Sequence, residues 1–142
     1  MKYFLFFFSL LASLTVYAQS YDCQITHTMV HPEGEFNASW QLFVNNDNAI
    51  IKLDGLLRDR KNGNAIISRQ IFFNVEKFSE RGFHFTSQRI KKHPAETVSD
   101  EAIARYYPDF FIHENRRATF TITRAEQNFI ISWATDPMFF CY

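Results

Sequence analysis

Apolar and polar residues alternate with a period of two along most of this chain, and that pattern buries one face only in a sheet. Trp40, Leu42 and Val44 alternate with Gln41 and Phe43. Ile51, Leu53, Gly55 and Leu57 lie opposite Lys52, Asp54 and Arg58. Ile67, Ile71, Phe73 and Val75 lie opposite Ser68, Gln70, Asn74 and Glu76, and the run from Phe83 to Ile90 has mixed faces. Ala118, Phe120 and Ile122 alternate with Thr119, Thr121 and Thr123, and Phe129, Ile131 and Trp133 form the next inward row. Turn chemistry separates these runs at Asn45–Asn48, at Asn62-Gly63 and at Ala125–Asn128. One segment departs from the rule. Ser99 can cap a helix, Asp100 and Glu101 suit the positive end of its dipole, and Pro108 halts it. The pattern predicts a mainly β fold: an antiparallel, strongly curved sheet or half-open barrel of about seven strands. The first strand falls near 21–31, and one short helix near 99–107 lies across an opening.

The ends of the chain carry a second constraint. An uncharged apolar run from Phe4 to Tyr17 follows Lys2, and Val16-Tyr17-Ala18 offers a small-residue cleavage site before Gln19. Residues 1–18 therefore read as an export signal. An uncleaved membrane anchor is the rival reading, although the run is shorter than the roughly 20 residues of a spanning helix. Either way residues 19–142 form one domain outside the cytoplasm, expected in the periplasm, and any membrane contact is through residues 1–18. Cys23 and Cys141 are the chain's only two cysteines. In an exported chain they most simply form one disulfide, which would make the first and last strands neighbours. The alternative is two free or intermolecular thiols.

Composition excludes several classes. Without Lys2 the mature part has 14 Lys+Arg, from 15 in the whole chain, against 15 Asp+Glu, so it lacks the basic field that nucleic acid requires. With only four glycines there is no phosphate-cradling loop, and no Gly-x-Ser-x-Gly or Cys-x-x-Cys occurs. His27 and His31 share a strand face but stand about 13 Å apart, too far to chelate one metal. No cofactor, metal or catalytic residue is expected, and the reading is non-enzymatic.

Two features invite a binding role. Arg69 falls in the apolar row of Ile67, Ile71 and Phe73, where a buried guanidinium would need a carboxylate or several carbonyls. It is either a snorkelling arginine near a sheet edge or a polar group inside a ligand cavity or partner groove. Arg89, beside Phe83 and Phe85, poses the same question. Most of Tyr106, Tyr107, Phe110 and Phe111, with Phe139, Phe140 and Tyr142, are expected in the core, but a small interior leaves some of them for an exposed patch. Phe110 and Phe111 are thus candidates for a patch facing a partner or an apolar small ligand.

The exported N-terminus, the cysteine bookends, Ser68-Arg69-Gln70-Ile71-Phe72-Phe73, Pro108-Asp109-Phe110-Phe111 and Pro137-Met138-Phe139-Phe140-Cys141 together resemble the FidL-like membrane proteins of enteric bacteria. That family is similar in arrangement to the ToxS-type periplasmic partners of ToxR-type membrane-bound winged-helix regulators. The resemblance implies an accessory protein that binds and stabilises the periplasmic domain of a membrane-bound transcription regulator, sharing a cavity that senses a ligand or pH. It supplies no catalytic residues; Cys23 and Cys141 match the family's terminal pair, and Arg69 and Pro108 match positions of unknown role. The alternative is a freestanding secreted binder, either an inhibitor of a lytic enzyme or a carrier of an apolar small molecule. An inhibitor should offer an acidic plug, for which Asp54 and Asp59 are the strongest candidates.

Overall fold

A computed structural model describes residues 20–134 and 136–141. The N-terminal apolar segment with its cleavage site, and Tyr142, lie outside the described residues. Eight antiparallel strands form one sheet in chain order: β1 Ser20–His31, β2 Gly34–Asn45, β3 Asn48–Asp59, β4 Gly63–Lys77, β5 Gly82–Lys92, β6 Arg117–Ala125, β7 Asn128–Trp133 and β8 Asp136–Cys141. The sheet coils until β8 lies against β1, giving a nearly closed barrel of the mainly β type read from the alternation.

Close backbone packing accompanies this curvature. A Cβ on Gly55 of β3 would lie 2.5 Å from the Asn37 carbonyl oxygen of β2, so only glycine fits there. At the tip of the β3–β4 hairpin Gly63 takes φ +82°, the turn conformation its Asn-Gly pair forecast. The inward rows are those of the alternation: Trp40 and Leu42 of β2, Ile51 and Leu53 of β3, Ile71 and Phe73 of β4, and Phe120 of β6 are buried together.

The eighth strand is additional to the expected set. β8 carries a proline in its register with β7 and two adjacent aromatics, Phe139 and Phe140, so it shows no alternation to read. Between β5 and β6 the chain leaves the sheet. The helix expected over 99–107 is a single turn, α1 Asp100–Ile103, capped by Ser99 Oγ, which accepts from the Ala102 amide at 3.2 Å. A 3-10 turn at Asp109–Phe111 follows Pro108. This excursion lowers Ile103, Tyr107, Phe110 and Phe111 into the interior as a plug.

Cys23 and Cys141 form a disulfide with Cα atoms 4.5 Å apart, spanning 118 positions of sequence. It joins the two edge strands at the end of the barrel where the chain enters. Loop-closure entropy for a ring of this size amounts to about 4–5 kcal/mol. Cys23→Ser/Cys141→Ser should therefore lose about 4–5 kcal/mol of unfolding free energy, seen as a lower urea midpoint, and ignore reductant, while the parent loses stability on reduction. Equal midpoints for oxidised and reduced parent would remove the bond from any account of stability.

Candidate functional site at the open seam

Each residue singled out in the sequence has a definite place. Arg69 points inward from β4 and is 1% exposed, so it does not snorkel. Its Nε and Nη2 donate to Glu96 at 3.1 and 2.5 Å, Nη2 also donates to Asp100 Oδ1 at 2.9 Å, and Nη1 donates to the Phe111 carbonyl at 3.0 Å. Glu96, with its side chain 3% exposed, also accepts from the Ser68 amide at 3.0 Å. Burial alone would raise the Asp100 carboxyl, but Lys92 and Arg69 outweigh it and hold the group below the usual carboxylate range. Four of the guanidinium's five N–H donors are taken up inside the fold, leaving no two-pronged fork for a ligand or partner. Glu96, unremarkable in the linear chain, is the partner that sequence reading missed.

Arg89 corrects the sequence reading. Phe72 pairs with Arg89 but Phe73 pairs with Ser87, so Gln88 is the extra residue of a bulge. The bulge reverses the inside-outside parity of β5 beyond Ser87. Arg89 is consequently exposed, with its guanidinium 4.4 Å from the Phe72 ring centroid on the outer surface. Phe110 and Phe111 are likewise not surface residues. Both are buried, Phe110 against Phe120 and Trp133, Phe111 against Trp40 and Tyr107. Among the described members of that group, Phe140 is the exposed one.

The structure brings together a different set of residues. No ladder joins β1 to β8 among the described residues, so the barrel has a seam. The disulfide closes one end of it, and further along the two edges diverge. Between them opens a cleft of about 290 Å³ lined by Ile25, His27 and Met29 of β1, Trp40 of β2, Tyr106, Tyr107 and Pro108 of the excursion, Trp133 of β7 and Met138 of β8. Met138 is the unpaired residue of a second bulge, opposite Ile131 and Ser132. The lining contains no carboxylate, lysine or arginine.

His27 is the cleft's titratable centre. Its Nε2 lies 3.0 Å from Tyr107 Oη, which also accepts from Trp40 Nε1–H at 3.3 Å. Burial lowers the His27 pKa from its ordinary 6.5 and pushes the Tyr107 phenol far up, so both are neutral at pH 7. His31 stands apart from this pair, edge-on to Tyr106. Among the described residues no group of three or more His, Cys, Asp or Glu side chains is placed to hold a metal ion. What this arrangement can do is desolvate something apolar beside one polar group.

The free edge beside the cleft completes the site. β1 pairs on one side only, with β2, from Ser20↔Asn45 to His31↔Gly34. From Gln24 to His31 it contains no charged residue and no proline, the devices by which natural edge strands avoid unwanted pairing. Its outward residues are exposed, Val30 at 78%.

Two measurements test these assignments. Arg69→Met should cost about 3–5 kcal/mol because it strands a buried carboxylate, and adding Glu96→Gln should recover at least about 1 kcal/mol in chemical denaturation. An equal or larger loss in the double variant would contradict the assignment. For His27, the unfolded chain takes up a proton that the native imidazole resists. The native advantage is therefore whole above pH 6.5 and declines as pH falls through that value toward the folded pKa. The stability gap between parent and His27→Gln should accordingly shrink from about pH 7 to about pH 5; a constant gap would refute the assignment.

No curated protein matches the chain. The family model of the YqeJ C-terminal domain matches residues 20–141, which takes in the whole barrel and both cysteines. The chain therefore belongs to the YqeJ C-terminal domain family.

Proposed function

We propose that this protein is a non-enzymatic, exported accessory domain that binds and stabilises the periplasmic domain of a membrane-bound transcription regulator. The observation that carries this reading is the unguarded β1 edge, an eight-residue stretch that pairs with β2 on one side, has no strand ladder on the other and carries no charge to repel a partner strand. A strand added there would gain main-chain hydrogen bonds and could set alternate side chains into the adjoining cleft. Stabilisation would follow from mass action: whatever binds the folded regulator domain but not its unfolded chain raises its stability and shields it from proteolysis.

The disulfide suits an oxidising compartment, and the resemblance to the FidL-like and ToxS-type proteins supports the choice of partner. The lytic-enzyme inhibitor reading gains nothing, because its two candidate acids are occupied. Asp54 pairs with Lys52 and Ser68. Asp59 accepts from the amides of Lys61 and Asn62, which hold the hairpin tip. A carrier of an apolar molecule is the second reading, and the cleft favours it.

The test is co-purification of oxidised residues 19–142 with the periplasmic domain of a regulator encoded beside it, followed by proteolysis of that domain. Protection should be strong with the parent. Thr26→Lys/Val30→Lys, which alters two exposed positions of the edge, should weaken the complex about tenfold or more while changing the domain's own stability by less than about 0.5 kcal/mol. Undiminished binding by the lysine variant would refute docking at this edge, and absence of both binding and protection would refute the function.

A further inference from the structure

We infer that the seam cleft is a binding site for an uncharged, ring-bearing small molecule with one oxygen acceptor, which His27 recognises through its Nδ1–H. The argument is a proton count. Trp40 Nε1 can only donate, so the Tyr107 oxygen accepts from it. Tyr107 is 4% exposed, and its own hydroxyl proton needs an acceptor. The group within reach is His27 Nε2 at 3.0 Å. Accepting that proton assigns neutral His27 to the Nδ1–H tautomer, read from the network rather than from a visible hydrogen. Nδ1–H has no partner among the described residues, and its imidazole lines the cleft. A donor held in a set orientation beside an apolar space is the arrangement by which small-molecule sites combine burial with orientation.

The rest of the lining sets the ligand class. Trp133 and Tyr106, both half-buried, are the rings that a flat molecule would meet above the buried Trp40, and Met29 and Met138 adapt to its outline. No charged side chain lines the space, so an ionised ligand would be desolvated without a counter-charge. At about 290 Å³ the cleft lies at the small end of ligand sites, which suits one or two fused rings rather than a long lipid chain. The acceptor is a carbonyl or hydroxyl oxygen.

Trp40 and Trp133 are the chain's only two tryptophans, so the protein carries its own reporter. Oxidised residues 19–142 are titrated with prodan, an uncharged naphthyl ketone whose emission shifts to the blue in apolar sites. The same naphthylamine without its ketone serves as the comparison. The expected result is saturable binding of prodan with energy transfer from tryptophan, about tenfold tighter than the ketone-free compound. His27→Phe should erase that tenfold preference. Met29→Lys puts an ammonium on the cleft wall without touching the Tyr107 pair, and should abolish binding of both compounds. Non-saturable prodan uptake, an unchanged preference in His27→Phe, or unaltered affinity in Met29→Lys would each overturn the inference. The isolated domain is used throughout, so failure here removes the ligand without bearing on strand addition, which Thr26→Lys/Val30→Lys tests separately.

Discussion

A ring of antiparallel strands has to meet itself somewhere, and here the meeting is made by two sulfur atoms instead of a ladder. Cys23 and Cys141 hold β1 and β8 together at one end of the seam. A disulfide fixes the separation of two Cα atoms but aligns no amides beyond them, so the strand edges are free to diverge. Their divergence leaves Ile25, His27 and Met29 only half-buried, although they continue the same inward row as the buried Tyr21 and Cys23. A fully paired closure would have sunk them into the core and covered the β1 edge. The cleft and the bare edge are thus two consequences of one covalent closure.

The far wall of the cleft is not part of the sheet and has to be held in place by other means. Arg69 does this from β4. Its fork reaches Asp100 on one side of the Tyr106-Tyr107-Pro108 corner and the Phe111 carbonyl on the other, so the corner is pinned at both ends. Apolar packing by Ile103, Phe110 and Phe111 drives the segment inward, but packing is tolerant of small slides, whereas guanidinium bonds are directional. The Glu96 bidentate contact adds a third anchor and satisfies the charge that burial would otherwise penalise. The position of Tyr107 relative to His27 is therefore tied to an ion cluster anchored on β4.

Alternation made most of the sheet legible because the inward rows of β2, β3, β4 and β6 have no irregularity to break their parity. It failed at the two bulges. One extra residue at Gln88 moved Arg89 from an expected inward position to the outer surface, and a bulge at Met138 left β8 without a readable period. Arg69 was recognisable as an anomaly, and its chemical need for a carboxylate was stated correctly by the row it occupies. Its partner was not, since Glu96 lies 27 positions away in an irregular segment and is selected by the fold rather than by spacing. The cleft was invisible for a related reason. Its walls come from β1, β2, the excursion, β7 and β8, and no local pattern records that two strand edges part.

The two edges of this sheet are treated differently, and that asymmetry bears on function. β8 is six residues long, contains a proline in its register and is interrupted by a bulge, all features that discourage another strand from pairing with it. β1 is twelve residues long, pairs continuously with β2, and from Gln24 onward has neither charge nor proline. The physical hazard of a flat, uncharged edge is the same at both ends, and a chain that guards one has the means to guard the other. An edge left in that state, with an apolar cleft beside it, is open to pairing with another strand. On the function proposed above, the β1 side of the seam, rather than the outer surface bearing Arg89, is the face at which this domain would meet its partner.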